Sequence, residues 1–177
     1  LVGNMGKIDS IDNKESEPYC LTTMHRPSNV DCEDKLSTIL RILNSLPIKC
    51  ILPLHPRTLK MIKSFKLTHL LNNIQTTEPM EYHRFLNYMK KAKFIITDSG
   101  GLQEETTYLK VPCLTIRENT ERPITISSGT NTLIKDPSEL MISVDKIMEG
   151  RYKKGKVPKL WDGKAATRIV EILRKEK

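Results

Sequence analysis

Residues 98–105, Asp-Ser-Gly-Gly-Leu-Gln-Glu-Glu, contain residue types that could bind a phosphorylated ligand. They follow the apolar β-type run 94–97 and begin a predicted helix. Glycines let the backbone approach a ligand closely, and the free amides and dipole of a helix N-terminus attract phosphate. Glu104 and Glu105 follow, and an ionised carboxylate can accept hydrogen bonds from the two hydroxyls of a ribose. The segment therefore indicates a nucleoside-diphosphate site.

A purely structural explanation of the same segment stays open. Acidic residues are common early in helices, and Gly-Gly is common in turns. A simple capping box does not account for the segment, because the third residue after Ser99 is Leu102 rather than Glu or Gln. The residues by themselves favour ligand binding and plain structure equally.

Strand-like and helix-like segments alternate along the chain, which predicts an α/β fold with a parallel sheet covered by helices on both faces. The strand-like segments are 19–24, 48–54, 74–77, 94–97, 112–116 and 132–134. The helix-like segments are 33–46, 58–66, 82–89, 102–108, 137–148 and 165–174, and a linker at 151–163 precedes the last of them. No G-x-G-x-x-G motif follows the first strand, which disfavours a dinucleotide-binding domain.

Four polar clusters directly follow predicted strands. They are His25-Arg26, His55-Pro56-Arg57, Ser99-Gly100-Gly101 and residues 117–123. Ligands of parallel sheets bind at the carboxyl ends of the strands, so we expect the four clusters to meet along one rim. Two adjacent cationic groups, His25 and Arg26, repel each other unless an anion lies between them, which favours an anionic ligand there.

The composition indicates one globular domain. The chain has 177 residues and 38% hydrophobic residues, enough for a single core. No apolar run is long enough to span a bilayer, and no signal peptide is present at the start, which is Leu1 rather than an initiator methionine. We therefore expect no membrane association and expect the chain to be part of a longer polypeptide.

The four cysteines are widely spaced and form no C-x-x-C pair, so neither disulfides nor a zinc or other metal site is expected. Cys20, Cys50 and Cys113 lie in strand-like runs and are expected in the core. A reducing, cytoplasmic location is the corresponding expectation.

The net charge of +8 is interpreted as a source of solubility and of attraction for an anionic small molecule. The basic residues Arg57, Lys60, Lys63 and Lys66 recur every three residues, as on one solvated helix face. Aromatic residues make up 5% of the chain and do not alternate with basic residues, which disfavours nucleic-acid binding.

The clusters, in their order, resemble the UDP-N-acetylglucosamine 2-epimerases, particularly the non-hydrolysing type of bacteria and archaea. The resemblance is specific because it is an ordered set over nearly the whole chain. The matching segments are 2–4, 23–26, 53–57, 97–105, 121–123, 129–131 and 161–165.

The resemblance implies the C-terminal half of a GT-B (UDP-glycosyltransferase/glycogen phosphorylase-like) fold, with two Rossmann-like domains around a cleft. Residues 1–177 would form a single UDP-binding Rossmann-like domain. Within it, 1–18 would be an incoming linker and 164–177 a C-terminal helix that packs on the missing N-terminal domain. The full-length protein would be a homodimer that uses no cofactor.

The resemblance also implies roles by position. Ser99, Gly100 and Gly101 would hold the diphosphate and Glu105 the ribose. Phe85, with backbone near Met80, would border the uracil. The remaining expected site residues lie around the diphosphate: Arg122 on the phosphates, His25 facing the cleft as the catalytic candidate, and Arg26 and His55 beside it.

Some of these residues have simpler explanations. Phe85 lies on an apolar helical stripe, His55 precedes a proline as turn-capping residues do, and Arg117 could pair with Glu118 at the rim.

The chain also departs from the family where Pro27 and Ser28 replace a basic residue and a Glu, and where Ile124 replaces a Glu. The first departure argues against allosteric control by UDP-GlcNAc.

The implied activity is isomerisation of UDP-GlcNAc to UDP-ManNAc by elimination and re-addition of UDP. In this reaction the chain would stabilise the departing diphosphate, and the isolated chain is expected to be inactive. Two alternatives remain: a hydrolysing epimerase or GT-B glycosyltransferase domain, and a non-catalytic nucleotide-sugar-binding module.

Overall fold

Six short strands form one parallel sheet in the computed structural model, which describes residues 15–175. The strands are β1 (Tyr19–Thr23), β2 (Lys49–Pro53), β3 (Ile74–Thr77), β4 (Phe94–Thr97), β5 (Cys113–Ile116) and β6 (Asn131–Ile134). Their order is β3-β2-β1-β4-β5-β6, and every neighbouring pair is parallel. The predicted parallel α/β sheet is confirmed.

Helices connect consecutive strands. They are α1 (Pro27–Val30), α2 (Glu33–Asn44), α3 (Pro56–Ser64), α4 (Tyr82–Lys91), α5 (Gly100–Leu109), α6 (Pro123–Ser127), α7 (Leu140–Met148) and α8 (Ala165–Lys175). Two 3₁₀ helices, Leu67–Leu71 and Pro137–Glu139, lie before β3 and α7.

The strand residues alternate between two apolar layers, because successive side chains of a strand point to opposite faces. Phe94 and Ile96 pack in one layer with α2, α3 and α7, whereas Ile95 packs in the other with α4 and α5. All three side chains are fully buried. Helices therefore cover both faces of the sheet, as predicted, and only the strand ends are left to bind a ligand.

The structure corrects several predicted boundaries. The helix expected from Thr58 begins at Pro56, since proline suits the first helical position and His55 caps it. Pro27 likewise begins α1, in a segment where no helix was predicted. The basic residues of α3 are exposed, as expected.

Both expected linkers are only partly accounted for. Residues 1–14 of the N-terminal one lie outside the described residues, and 15–18 contain no helix or strand. Residues 151–163 are irregular, as predicted, but Tyr152 anchors them to the sheet. Its hydroxyl donates to the carbonyl oxygens of Cys113 and Thr130 at 3.1 and 2.9 Å.

Cys20, Cys50 and Cys113 are buried free thiols, as predicted, and Cys32 is an exposed one. Within residues 15–175, no helix has the length and apolar character that crossing a bilayer requires.

Candidate functional site

The strand order of the sheet reverses between β1 and β4, and this switch point is where parallel sheets form a ligand crevice. His25-Arg26 follows β1 and Ser99-Gly100-Gly101 follows β4, so two of the four polar clusters border the crevice directly. The clusters after β2 and β5 flank them on the same edge. The predicted meeting of the four clusters on one rim is confirmed.

Asp98, to which the sequence analysis assigned no role, joins the two sides of the switch point. Its side chain is fully buried at the end of β4. The backbone amides of His25 and Arg26 donate to Oδ2 at 2.9 and 2.8 Å, and His25 Nδ1 lies 2.9 Å from Oδ1. A buried charge is tolerated when it is paired and hydrogen-bonded in this way.

This pair changes the titration of both side chains. The hydrogen bond to Asp98 raises the pKa of His25 above its ordinary value, against the opposing effect of burial. Burial alone would raise the pKa of Asp98, but the hydrogen bonds from His25 and the two backbone amides lower it. His25 is therefore held as a cation to higher pH, with Nε2 as the ring nitrogen left for a ligand.

A cavity of about 520 Å³ lies beside this pair. Four of the expected site residues line it: His25, His55, Met80 and Ser99. The two histidine rings are 5.5 Å apart between centroids. His55 Nδ1 accepts the backbone N–H of Arg57 at 3.2 Å, so the turn-capping explanation of this histidine is correct even though its ring also borders the cavity.

The N-terminus of α5 has the features of an anion site. Ser99 is the N-cap residue with extended backbone, and its side chain makes no capping hydrogen bond. The first-turn amides of a helix have no intrahelical acceptor and remain available to a ligand. A Cβ atom on Gly100 would lie 2.7 Å from Arg122 Nη1, whereas a Cβ on Gly101 would meet nothing within 4 Å. Gly100 thus lets the Arg122 guanidinium lie directly over the helix N-terminus.

Three arginines surround the carboxylate of Glu121 on this rim. Arg117 donates to both of its oxygens at 2.9 Å, Arg122 Nη1 is 3.4 Å away and Arg26 Nη2 is 4.0 Å away. The Arg117 contact is the main reason why the pKa of Glu121 falls to about 2. The Arg117 pairing suggested by the sequence was therefore wrong in its partner, which is Glu121 rather than Glu118. The spacing of four residues across a loop turns Glu121 back toward the guanidinium.

A buried hydrogen-bond network fixes the loop that carries these arginines. Gln103 of α5 accepts from Thr120 Oγ1 at 2.6 Å and from Asn131 Nδ2 at 3.0 Å. Thr120 Oγ1 in turn accepts the backbone N–H of Arg122 at 3.0 Å. No pattern in the sequence links these residues, which are brought together only by the crossing of α5 over β6.

The expected uridine end lies on the other side of α5. The Tyr82 hydroxyl donates to Glu105 Oε1 at 2.8 Å, which connects α4 to α5. Phe85 and Met80 are half-buried and pack against the same apolar layer. Phe85 thus has the packing role that its position on an apolar stripe indicated, with part of its ring still exposed.

Among residues 15–175 there is no group of His, Cys, Asp or Glu side chains arranged to hold a metal ion. The rim instead combines cations and the first-turn amides of α5 with an apolar cavity and the carboxylate of Glu105. Such an arrangement suits a ligand that has a diphosphate, a flat apolar group and vicinal hydroxyls.

Comparison with known proteins agrees with this description. The UDP-N-acetylglucosamine 2-epimerase family model matches residues 3–174. A UDP-N-acetylglucosamine 2-epimerase of Methanocaldococcus jannaschii is 42% identical over 164 residues, which cover 89% of this chain and 44% of that protein. The chain thus spans about half the length of the curated relatives it matches.

Solved structures show the same relationship. The M. jannaschii UDP-GlcNAc 2-epimerase in complex with UDP-GlcNAc and UDP has a TM-score of 0.76 and 38% identity, covering 98% of this chain and 48% of that one. An E. coli heptosyltransferase, at 16% identity and a TM-score of 0.54 over 78% of this chain and 44% of that one, shares the fold alone. The architecture is that of the Rossmann-like half of a GT-B fold.

The Asp98–His25 pair predicts a specific titration behaviour. Asp98→Asn should lower the pKa of His25, because the carboxylate that stabilises the imidazolium is lost. The stabilisation from this pair is complete below the unfolded pKa of about 6.5 and is lost as pH rises through the higher folded value. NMR titrations of the His25 ring protons in the parent chain and in Asp98→Asn measure the two pKa values to be compared.

Asp136→Asn is the matched control, since Asp136 caps the 3₁₀ helix before α7 through Ser138 and does not contact His25. An unchanged His25 midpoint in Asp98→Asn would show that the ion pair does not control this histidine.

Proposed function

The chain belongs to the UDP-N-acetylglucosamine 2-epimerase family, and we propose that it forms the UDP-binding, C-terminal half of an enzyme that interconverts UDP-GlcNAc and UDP-ManNAc. One observation carries this proposal. The N-terminus of α5 lies between a cationic cluster and an apolar cavity, with Glu105 farther along the same helix. The three environments match the three parts of UDP: donors for the diphosphate, an apolar surface for the uracil and an acceptor for the ribose hydroxyls.

The diphosphate is assigned to Ser99, Gly100 and Gly101, with Arg122 above them. The uncapped amides of α5 can donate to phosphate oxygens, and a guanidinium can bind them bidentately. Arg122 Nε lies 3.1 Å from Glu104 Oε2, outside good hydrogen-bond alignment, and that donor is buried without a hydrogen-bond partner. The Nη atoms of the guanidinium, and not the buried Nε, are therefore the donors assigned to the phosphate.

The uridine is assigned to the other end of the rim. Glu105 would accept hydrogen bonds from the ribose hydroxyls, and the exposed part of Phe85, with the backbone near Met80, would border the uracil. Leu102, which lines the cavity, and Glu105 are three residues apart on α5 and so share a face of the helix. One nucleotide can therefore contact both while its phosphates remain at the helix N-terminus.

His25 is proposed as the catalytic residue of this half, with Arg26 and His55 beside it. In the reaction, the C2 proton of the sugar is removed and UDP leaves C1, giving a glycal that is reprotonated on the other face as UDP returns. The negative charge that develops on the departing diphosphate is stabilised by the α5 amides, Arg122 and the His25 imidazolium. The groups that move the C2 proton would belong to the first domain.

Domain organisation follows from the same proposal. The relatives are about twice as long as the matched region, and the C-terminal helix α8 has no buried residue. Four of its large apolar side chains are exposed: Ile169, Val170, Ile172 and Leu173. We assign the first domain of the full-length protein as the partner that covers this face, because an amphipathic helix is stable when its apolar face is packed. The homodimer remains part of the proposal for the full-length protein.

The family departures bear on regulation. Pro27 occupies the first position of α1 and Ser28 is exposed, so neither supplies the cation and carboxylate of the family pattern. We propose that this protein lacks allosteric control by UDP-GlcNAc.

UDP binding tests the site directly. Ser99→Asp should weaken UDP binding at least about tenfold, because it places a negative charge in the diphosphate pocket while remaining a good N-cap residue. Glu105→Ala should weaken it through loss of the ribose acceptor. Titration of UDP into the ¹⁵N-labelled chain, followed by NMR, measures affinities even in the millimolar range.

Matched controls are available at neighbouring positions. Ser99→Asn keeps the N-cap chemistry without the charge, and Glu104→Ala removes the neighbouring carboxylate, which faces Arg122 instead. Both control variants should bind UDP at least as tightly as the parent chain does. If Ser99→Asp and Glu105→Ala also bind like the parent, the assigned site is wrong.

Incubation of the 177-residue chain with UDP-GlcNAc should give no UDP-ManNAc, because the groups that act on the sugar are proposed to lie in the other domain. Proton NMR of the sugar C1 region detects the product. Turnover by this chain would contradict the proposed division of labour. With the full-length protein, release of free sugar would instead indicate a hydrolysing epimerase, and transfer to an acceptor would indicate a glycosyltransferase.

Leu173→Ala tests the proposed docking of α8. In this chain it should change the free energy of unfolding by less than about 0.5 kcal/mol, because the side chain is 59% exposed. In the full-length protein it should cost about 2 kcal/mol or more, as for a buried leucine. Urea unfolding measures both values, with the exposed Glu171→Ala on the same helix as control. Equal effects in the two proteins would exclude the docking.

A further inference from the structure

We propose that Tyr82 is a positioning residue for the ribose, because its hydroxyl holds the Glu105 carboxylate in the orientation that accepts the two ribose hydroxyls. This inference rests on the proposed function, which assigns Glu105 to the ribose. It adds a residue that the sequence motifs do not contain and that lies on a different helix from them.

The contact is short and well placed. Tyr82 is the first residue of α4, and its hydroxyl donates to Glu105 Oε1 at 2.8 Å on the neighbouring helix α5. Tyr82 is 44% exposed, so its hydroxyl forms this bond at the solvent-facing rim and not in the core. Contacts between α4 and α5 keep the two helices in register.

Glu105 needs such a donor because its surroundings disfavour the ionised form of its carboxyl group. Burial raises the pKa of Glu105, and the adjacent Glu104 raises it further, whereas the Tyr82 hydrogen bond opposes both effects. Tyr82 itself stays protonated, because burial and the contact with Glu105 raise its pKa to about 12. The phenol therefore remains a donor at any physiological pH.

The bond leaves the carboxylate able to bind ribose. Tyr82 engages Oε1 and not Oε2, so within residues 15–175 this bond leaves Oε2 and a second lone pair of Oε1 as acceptors. A carboxylate already held in one rotamer loses less side-chain entropy when the ribose binds. The phenol oxygen can also accept a hydrogen bond from a hydroxyl that lies against Oε1.

A different role for Tyr82 would make its removal change the nucleotide affinity in the opposite direction. If the phenol occupied the place of a ribose hydroxyl, it would compete with the nucleotide, and its removal would tighten binding. Because Tyr82 bonds only one of the two oxygens of Glu105, the contact favours positioning over competition.

Comparison of two nucleotides with Tyr82→Phe separates these roles. UDP and 2′-deoxy-UDP are titrated by NMR into the parent chain, Tyr82→Phe, Glu105→Ala and the control Tyr108→Phe, a half-buried tyrosine at the other end of α5. Tyr82→Phe should weaken UDP binding about three- to tenfold, the effect of one net hydrogen bond. It should weaken 2′-deoxy-UDP binding less, so the preference for the ribonucleotide becomes smaller. Tyr108→Phe should leave affinity and preference as in the parent.

The remaining outcomes are distinct. An equal loss for both nucleotides would show a merely structural role, and tighter UDP binding would show competition; either result overturns the inference. If Glu105→Ala binds both nucleotides like the parent, the ribose assignment itself fails, and the role of Tyr82 fails with it. If Glu105→Ala loses the ribonucleotide preference and Tyr82→Phe retains it, only the role of Tyr82 is wrong.

Discussion

The rim depends on one buried carboxylate. Asp98 lies where the strand order reverses, and it accepts hydrogen bonds from the backbone of His25 and Arg26 across the gap between β1 and β4. A fully buried anion is costly unless its acceptors are satisfied, so the loop after β1 is held in the conformation that satisfies them. The same interaction orients the His25 ring and raises its pKa. Asp98 thus determines both the conformation of the loop after β1 and the titration of His25.

The cationic side of the rim is arranged before any ligand arrives. Glu121 acts as a counter-ion for Arg117, Arg122 and Arg26, and the network from Gln103 holds the loop that carries them. Arginines that repel one another would otherwise spread into solvent. Because Gly100 has no side chain, the Arg122 guanidinium can remain over the N-terminus of α5. A diphosphate would therefore meet donors that are already in place, which reduces the reorganisation cost of binding.

The site is one-sided, which agrees with the length relationship to the family. Helices seal both faces of the sheet with apolar layers, so the carboxyl edge is the place where polar groups from several strands can meet a ligand. Nothing in the described residues covers the exposed apolar face of α8. In the proposed full-length protein, the stability of α8 and catalysis would depend on the same first domain.

The sequence by itself determined the parallel α/β sheet, the rim on which the polar clusters meet and the family. The alternation of strand-like and helix-like segments and the position of a polar residue directly after a strand are local properties that can be recognised in the sequence alone. Tertiary structure decided which groups pair. Asp98 with His25 and Tyr82 with Glu105 depend on strand order and on the angles at which helices cross, whereas Arg117 with Glu121 instead of Glu118 depends on the path of one loop. Residue types and spacing do not encode the first two distances, because each of those pairs joins segments whose approach is set by the packing of the whole sheet.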